Sequence, residues 1–298
     1  MADAIDVTAY SDGNRLAGTL YIPAQPRSLL LMHPGSGPSD RNNDSFFPPI
    51  RTALLGANIA VASFDKRGVG GSEGDWRQAG IELQGDDLCT CLQAVRELIP
   101  TVPSGVFGHS QGGWVVLEAA SRSGADFAIT SSGPAVSPNQ QELFASKNAL
   151  TARGLKDEQV AESVEFYTQI LAQLSNGSPF ASFEAWAATH RDPMNLLQNA
   201  GVFIPGDQAH WDLAASMGDY DPLVRLRNFD LPLLAIFGSE DHGVPVAQSI
   251  SILRRSVPAS LLQTSVIQGG NHRIKRRPTG DLAPGYLKTV LAFIENHS

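Results

Sequence analysis

Cysteine is scarce in this chain. Two occur among 298 residues, Cys89 and Cys91. They lie two positions apart in a segment predicted to be helical, where their side chains point to nearly opposite faces and cannot form a disulfide. Neither a second cysteine pair nor a nearby histidine cluster completes a zinc signature. The sequence therefore predicts no disulfide and no metal site, and a reducing, cytoplasmic location is expected.

Long hydrophobic runs are also missing. No segment approaches the roughly 18 consecutive apolar residues of a membrane-spanning helix, although 42% of the chain is hydrophobic. The first residues (MADAID) have neither the basic start nor the apolar core of a signal peptide. We therefore expect no membrane partner.

Positive charge is in short supply. The chain has 22 Lys and Arg against 30 Asp and Glu, which gives a formal net charge of −8. Nucleic-acid binding needs a stripe of Lys and Arg that neutralises phosphates, and none is present. One short basic cluster, residues 273–277 (RIKRR), is expected to be a solvated loop. A nucleic-acid partner is therefore not expected.

The chain does contain apolar, strand-like segments that alternate with helical ones. Strands are predicted at 19–22, 28–32, 59–64, 106–108, 127–130, 231–237 and 261–267, and helices at 46–57, 80–98, after residue 110 and at about 285–295. Repeated βαβ units of this kind predict an α/β fold with a mostly parallel central sheet and helices on both of its faces. The length suits one large domain with an insertion.

The alternation stops between residues 134 and 227, where apolar residues follow helical spacing. We predict a core domain formed by residues 1–133 and 228–298, and a helical cap or lid formed by 134–227. Ligands of open α/β sheets bind outside the carboxyl ends of the strands, so the cap is expected over that edge. Six of its residues are candidates for lining a substrate pocket, although ordinary packing is favoured for most. They are Phe166, Phe183, Trp186, Phe203, Trp211 and Met217.

The most informative motif is the run 106–113 (VFGHSQGG), in which a predicted strand breaks into a helix at Ser110. Glycines two residues away on each side permit a tight turn, which exposes the serine hydroxyl and directs the backbone N–H of Gln111 toward the same point. The pattern is short, and a chain of this composition contains roughly 0.2 matches by chance. The position of the motif between a predicted strand and a predicted helix therefore has to decide whether Ser110 is a nucleophile.

Residues 70–74 (GGSEG) provide an internal comparison, because they fit the same spacing around Ser72. They follow the predicted strand 59–64 only after a glycine-rich loop, and no helical pattern begins at Ser72. After Ser110, by contrast, apolar residues at helical spacing begin at once. We therefore interpret Ser110 as a nucleophile and Ser72 as a loop serine.

Five segments resemble the α/β-hydrolase superfamily, and the resemblance covers nearly the whole chain outside the insertion. The segments are residues 34–42 (PGSGPSDRN), 65–70 (DKRGVG), 108–112 (GHSQG), 238–241 (GSED) and 270–272 (GNH). In that superfamily the nucleophile, the acid and the histidine follow one another along the chain. The resemblance therefore implies an α/β-hydrolase fold and a catalytic triad of Ser110, Asp241 and His272.

The base and the acid both have rivals. His272 follows the last predicted strand in a glycine-containing loop, whereas His242 adjoins the residue needed as the acid. Glu240 and Asp241 both follow strand 231–237, and the spacing in the superfamily selects Asp241. A carboxylate from the cap is a third, weaker alternative for the acid. A serine needs both partners, since histidine takes its proton and a carboxylate orients the imidazole.

The oxyanion hole is expected to combine the backbone N–H of Gln111 with one from residues 34–38 (PGSGP). The superfamily pattern selects Ser36, and Gly37 is the alternative. Asp40 and Arg41 are expected to brace this loop. Residues 65–68 (DKRG) resemble a supporting turn of the superfamily, and we assign them a structural role.

These residues together predict a cofactor-free serine hydrolase, most simply a carboxylic-ester hydrolase that passes through an acyl-enzyme. The expected partner is a small-molecule ester or amide substrate. A small aminopeptidase or amidase, a C–C hydrolase and a cofactor-free haloperoxidase are alternatives on the same fold, because a fold does not choose a reaction. The alternative from another class is a small-molecule-binding protein without catalysis.

Overall fold

A computed structural model describes residues 2–298. In this part of the chain one eight-stranded sheet is present, and its strand order is β1-β2-β4-β3-β5-β6-β7-β8. The strands are β1 (Asp3–Ser11), β2 (Asn14–Ile22), β3 (Ser28–His33), β4 (Ile59–Phe64), β5 (Ser104–His109), β6 (Phe127–Ser131), β7 (Leu233–Gly238) and β8 (Leu262–Ile267). β2 pairs antiparallel with both β1 and β4, whereas β3 to β8 are mutually parallel where they pair. The mostly parallel sheet predicted from the alternation of segments is therefore present.

Helices connect the strands. They are α1 (Phe47–Gly56), α2 (Ile81–Leu98), α3 (Gln111–Ser123), α4 (Pro138–Ala152), α5 (Asp157–Ser175), α6 (Phe180–Ala188), α7 (Arg191–Ala200), α8 (Gln208–Gly218), α9 (Leu223–Leu226), α10 (Val246–Ser256) and α11 (Tyr286–Glu295). Among the described residues, none of these helices combines the length and the apolarity that crossing a membrane requires.

The chain divides into two compact units. The first comprises the chain up to Ala135 together with Pro222–Asp241 and Val246–Ser298, and it contains the whole sheet. The second comprises Val136–Asp221 and His242–Pro245, and it contains helices α4 to α8.

The core of the first unit forms on the sheet because its central strands are short apolar runs. Every residue of β4, β5, β6 and β7 is buried, as parallel strands covered on both faces require. On one face, α1 and α11 contribute Phe47, Ile50 and Phe293 to a cluster with apolar residues of the strands. α2 packs against α3 elsewhere in this unit.

The N-terminal hairpin differs from the prediction, which placed only a short strand at 19–22. The structure adds β1 and extends β2 back to Asn14, so that Asp3 pairs with Ile22 and Ser11 with Asn14. The first four residues of β1 are exposed, and inward and outward positions alternate only from Val7 onward. An edge strand with so few buried positions lacks the apolar pattern by which strands are recognised in a sequence.

The turn between β5 and α3 leaves no room for a side chain at two positions, one facing α3 and one facing the end of β3. A Cβ atom added at Gly108 would overlap the carbonyl oxygen of Gly112, and one added at Gly112 would lie 2.6 Å from the carbonyl oxygen of Pro34. Backbone lines both approaches, and it cannot rotate away as a flexible side chain can. The two glycines are therefore steric requirements of the turn.

The second unit has its own apolar core, formed largely by aromatic side chains. Phe183 stacks on Trp211 with ring centroids 4.6 Å apart, and Phe166 stacks on Trp186 at 4.9 Å. Ordinary packing is thus what the structure shows for these four aromatic residues, which all lie in or against the cluster. Phe203 differs, since 51% of its surface is exposed.

Glu142 lies on α4 in the second unit and is partly buried. Burial raises the pKa of its carboxyl group to about 7. With a pKa of about 7, the carboxyl of Glu142 is protonated at pH 5 and ionised at pH 8 in the folded protein.

Replacing Glu142 by glutamine should therefore change the pH dependence of stability. The neutral carboxyl contributes stability that is fully present below pH 4.5, the ordinary pKa of Glu, and that is lost as the pH rises through about 7. Glu142→Gln keeps a hydrogen-bond donor and does not ionise. The difference in free energy of unfolding between Glu142→Gln and the unsubstituted chain should therefore depend on pH. It should shift in favour of the variant by about 1–3 kcal/mol between pH 5 and pH 8, as measured by urea unfolding.

The matched control is Glu165→Gln, since Glu165 is an exposed carboxylate in the same unit. Its difference from the unsubstituted chain should not change between pH 5 and pH 8. If the difference in unfolding free energy between Glu142→Gln and the unsubstituted chain were equally independent of pH, the raised pKa of Glu142 would be contradicted.

The close approach of β5 and α3 predicts a large cost for Gly108→Ala. Because the added methyl group meets backbone, the free energy of unfolding should fall by about 3 kcal/mol or more. Gly56→Ala is the control, since Gly56 ends α1 with nothing within 4 Å of an added Cβ; it should be neutral or stabilising by up to about 1 kcal/mol. Thermal or urea unfolding measures both, and equal stabilities would contradict the packing argument.

Candidate active site

The candidate site is built at one edge of the sheet. Parallel strands direct their carboxyl ends to the same edge, and five of them are followed there by residues that the sequence analysis singled out. Ser110 follows β5, Asp241 comes shortly after β7, and His272 shortly after β8. The loops after β3 and β4 contain residues 34–42 and 65–70. All of these segments belong to the first unit.

Ser110 occupies a strained turn. Its φ of 55° and ψ of −121° are a backbone conformation that non-glycine residues rarely adopt. The turn is held from both sides, because the N–H of Ser110 donates to the carbonyl of Ser131 at 3.0 Å and its carbonyl accepts from Gly113 at 2.8 Å. The strained geometry is thus fixed by the sheet on one side and by the first turn of α3 on the other.

The hydroxyl of Ser110 begins a chain of hydrogen bonds. Its Oγ lies 2.9 Å from Nε2 of His272. Nδ1 of the same ring lies 2.9 Å from Oδ2 and 3.1 Å from Oδ1 of Asp241. The Asp241 side chain is fully buried, whereas 36% of the His272 side chain is exposed. The structure therefore brings together the three residues that the sequence analysis selected.

The chemistry of the partners fixes the resting tautomer. A carboxylate can only accept a hydrogen bond, so Nδ1 of His272 carries a proton and donates a hydrogen bond to Asp241. Nε2 then presents a lone pair, and the hydroxyl of Ser110 donates to it. The imidazole is thus oriented to remove the proton from the serine.

The rival residues lie elsewhere. Glu240 and His242 are both exposed. The backbone N–H of Glu240 donates to the carbonyl of Gly270 at 2.8 Å, and the carbonyl of His242 accepts from the side chain of Asn148 at 2.9 Å. Each is thus held through its backbone and contributes no side chain to the hydrogen-bond chain of Ser110.

The loops that carry the acid and the base are tied to each other. Besides the bond from Glu240, the N–H of Gly269 donates to Oγ of Ser239 at 2.9 Å. Within the histidine loop, Oδ1 of Asn271 accepts from the N–H groups of Arg273 and Lys275 at 2.9 and 3.0 Å. These bonds connect the loop that carries Asp241 with the loop that carries His272 and fix the shape of the latter.

His109 has contacts that sequence reasoning missed. Its ring lies 5.2 Å from the ring of His272 and 4.4 Å from that of Phe46. Nδ1 of His109 hydrogen-bonds the carbonyl of Ser131 at 3.1 Å. Burial lowers its pKa well below the usual range, so it supports His272 as a neutral ring.

The two segments expected to form the oxyanion hole flank Ser110. Gln111 is the first residue of α3, at the positive end of the helix dipole. On the other side, a Cβ added at Gly35 would lie 3.5 Å from the Cβ of Ser110. Ser36 is exposed, and its carbonyl accepts from the hydroxyl of Ser39 at 2.9 Å. The loop after β3 thus passes directly beside the serine.

Arg41 braces this loop, as the sequence analysis expected. Its backbone N–H and guanidinium donate to the carboxylate of Asp65, with the shortest contact at 2.6 Å. Burial disfavours the ionised form of Asp65, but hydrogen bonds from Arg41 and Gly71 outweigh it and lower the pKa of this carboxyl. The loops after β3 and β4 are therefore joined by a partly buried ion pair.

Lys66 lies between these loops and is only 8% exposed. Its ammonium donates to the carbonyl oxygen of Gly35, and to Oε1 of Gln111 at 2.9 Å. Residues 65–68 were expected to have a structural role, and nothing in their sequence distinguishes Lys66 from its neighbours. Among residues 2–298, no cluster of three or more His, Cys, Asp or Glu side chains forms a metal-binding group.

Comparison with known proteins places this geometry in a family. Residues 44–277 match the family model described as serine aminopeptidase, S33 (Hydrolase_4). The chain is 25% identical over 252 residues to a monoacylglycerol lipase from Mycolicibacterium smegmatis, a match that covers 81% of this chain and 80% of the lipase.

Solved structures show the same fold at lower identity. A proline iminopeptidase from Mycobacterium smegmatis superposes with a TM-score of 0.65 and 16% identity, covering 98% of each chain. An esterase from Pyrococcus furiosus superposes with a TM-score of 0.64 and 15% identity, covering 99% of this chain and 92% of the esterase. The family match spans most of the chain and confirms the resemblance drawn from its motifs. The chain belongs to the S33 serine aminopeptidase family and, with it, to the α/β-hydrolase superfamily.

Proposed function

We propose that this protein is a serine hydrolase that cleaves carboxylic esters through an acyl-enzyme. The observation that carries the proposal is the hydrogen-bond chain from Ser110 through His272 to the buried carboxylate of Asp241. No cofactor enters the proposed reaction, because the nucleophile, the base and the acid are all side chains of this protein.

In the first step, the lone pair on Nε2 of His272 takes the proton of Ser110 as Oγ attacks the ester carbonyl carbon. The buried carboxylate of Asp241 stabilises the imidazolium that forms. The carbonyl oxygen becomes an oxyanion, to which the N–H groups of Gln111 and Ser36 donate. Each such donor is worth about 10²–10³ in rate.

The tetrahedral intermediate then collapses. His272 gives its proton to the leaving alcohol oxygen, the C–O bond breaks, and the acyl group stays on Ser110. A water molecule next gives its proton to His272 and attacks the acyl carbon, after which His272 returns a proton to Oγ and the acid is released. The same imidazole thus serves as base and as acid in each half of the reaction.

Substrate selection is assigned to the inserted segment 134–227, which we propose to be a cap. In the core unit, the loops at the strand ends are occupied by the catalytic hydrogen bonds and the braces of the oxyanion loop. The insertion supplies additional apolar surface, including the exposed ring of Phe203. A medium-sized acylglycerol fits this proposal, since the monoacylglycerol lipase of M. smegmatis is a relative.

Ser110→Ala should lower kcat/KM for p-nitrophenyl butyrate by at least about 10³-fold, because no nucleophile replaces the hydroxyl. The same variant should lose covalent labelling by a fluorophosphonate probe. Hydrolysis assays and gel-based labelling measure the two effects.

Ser72→Ala is the matched control, because Ser72 lies in the other segment with the same glycine spacing. Its Oγ donates to the carbonyl of Asp65 at 2.8 Å and accepts from the N–H of Ala17 at 2.9 Å. The control should keep its turnover while losing about 1–3 kcal/mol of unfolding free energy. Full activity in Ser110→Ala would overturn the proposed function.

Aminopeptidase activity is the second candidate, favoured by the description of the family. An aminopeptidase must recognise a free α-amino group, whereas an esterase need not. Ethyl propionate and ethyl alaninate differ only in that group, so their kcat/KM values separate the two activities. We expect the ratio of propionate to alaninate to be one or higher, and 1-monobutyrin to be hydrolysed while alanyl-p-nitroanilide is not.

A preference for ethyl alaninate of about 10²-fold or more would instead identify an aminopeptidase, because a site built to bind the amine rejects the analogue that lacks it. Loss of both activities in Ser110→Ala would support Ser110 as the nucleophile, whichever of the two activities the protein has.

A further inference from the structure

We infer that Lys66 is a positioning residue that sets the direction of the oxyanion-hole N–H of Ser36. The inference rests on the proposed function, since it requires that the N–H of Ser36 receive the developing oxyanion. It concerns a residue whose segment carries no assigned part in the reaction.

Lys66 contacts a peptide group whose covalent geometry is rigid. The ammonium of Lys66 donates to the carbonyl oxygen of Gly35. That carbonyl and the N–H of Ser36 belong to one planar peptide group, and in a trans peptide the two bonds point in opposite directions. Fixing the carbonyl of Gly35 on the buried side therefore fixes the N–H of Ser36 on the other side.

The peptide group between Gly35 and Ser36 lies beside Ser110. An added Cβ at Gly35 would lie 3.5 Å from the Cβ of Ser110, so the peptide that follows Gly35 starts next to the nucleophile. The second contact of Lys66, with Oε1 of Gln111 at 2.9 Å, reaches the residue that follows Ser110 in the chain. One ammonium thus bridges the two segments that supply the proposed oxyanion donors.

The loop has enough freedom to need such a contact. It contains Gly35 and Gly37, and Gly37 has a φ of 77°. Arg41 anchors the far end of the loop to Asp65, and the backbone N–H of Lys66 reaches the carbonyl of Ser39 at 3.5 Å. The N–H of Gly35 donates to Oδ1 of Asn43 at 3.3 Å, which anchors the peptide group before Gly35, whereas the ammonium of Lys66 contacts the carbonyl of the peptide group after it. A peptide group flanked by a glycine rotates at low cost when such a contact is removed.

The electrostatic setting of Lys66 argues against a purely structural role. Within the part of the chain that the structure describes, its neighbours Asp65 and Arg67 form ion pairs, with Arg41 and Asp87, whereas Lys66 forms none. Burial lowers the pKa of Lys66 to about 7. A buried ammonium with neutral acceptors costs stability, and a nonpolar side chain of similar length would avoid that cost. Retaining lysine there is explained by what its N–H groups hold in place.

The decisive variant is Lys66→Met, which keeps most of the stem and removes the donors. We expect kcat/KM for p-nitrophenyl butyrate to fall about 10–100-fold, which is at most the effect of losing one oxyanion donor. KM should change less than about threefold, because ground-state binding is retained. Thermal unfolding should show a folded protein with unchanged or raised stability.

A trifluoromethyl ketone supplies the readout that a structural role would not move. Oγ of Ser110 adds to its carbonyl carbon, the serine proton passes to His272, and the ketone oxygen becomes an oxyanion in the same hole. Its inhibition constant should rise in Lys66→Met by the same factor by which kcat/KM falls. Lys66→Arg, which keeps N–H donors, should recover part of both losses.

Two further variants complete the design. Gln111→Met removes the contact of Lys66 at 2.9 Å and leaves its bond to Gly35, so it should lose less than Lys66→Met. Lys288→Met is the control, since Lys288 is an exposed lysine on α11, and it should match the unsubstituted chain. If Lys66→Met does not fold, Lys66→Leu, which also lacks a donor, is measured in its place with the same expected parallel loss.

A folded Lys66→Met with full kcat and unchanged inhibitor affinity would overturn the inference, and so would a loss confined to KM. Ser110→Ala separates this failure from that of the proposed function. If Ser110→Ala is inactive and Lys66→Met is fully active, the hydrolase stands and only the role of Lys66 falls.

Discussion

The candidate site depends first on the turn between β5 and α3. Ser110 can adopt its strained backbone because the chain comes together without side chains at Gly108 and Gly112. The hydrogen bond from its N–H to Ser131 fixes the turn to the neighbouring strand β6. Strain of this kind persists only where the surroundings over-determine it, and here the sheet and the helix both do so. The hydroxyl is thereby held outside the sheet before any substrate is present.

The parallel sheet then explains how five distant parts of the chain meet. β3, β4, β5, β7 and β8 end at one edge, and the loop after each strand carries one of the proposed parts of the site: the oxyanion segment, a brace, the nucleophile, the acid or the base. The functions are also connected in pairs. Arg41 and Asp65 join the first two loops, and Glu240 and Gly270 join the last two. The geometry of the site therefore follows from the strand order together with a few short contacts between loops.

The sequence supports the prediction of the fold and of the three central residues for physical reasons. Buried parallel strands are short apolar runs, and a nucleophile at a tight turn needs glycines at fixed spacing, so both leave local patterns. Asp241 and His272 follow from chain order in the superfamily once Ser110 is placed. β1 leaves no such pattern, because its first four residues are exposed on an edge strand.

The contacts of His109 and Lys66 could not be predicted, since they depend on how neighbouring loops meet in space. The segment 65–68 contains three charged residues in a row, and nothing in their order distinguishes the two that form ion pairs from the one that does not. The difference becomes visible only through their partners. Asp65 and Arg67 each meet a side chain of opposite charge, which compensates for burial. Lys66 meets a backbone carbonyl and an amide oxygen instead, so its burial is compensated less, and its contacts converge on the two segments beside the nucleophile. A buried charge without an ion-pair partner that contacts the segments beside a candidate nucleophile is a stronger indication of function than a charge in a buried ion pair, because packing alone does not account for it.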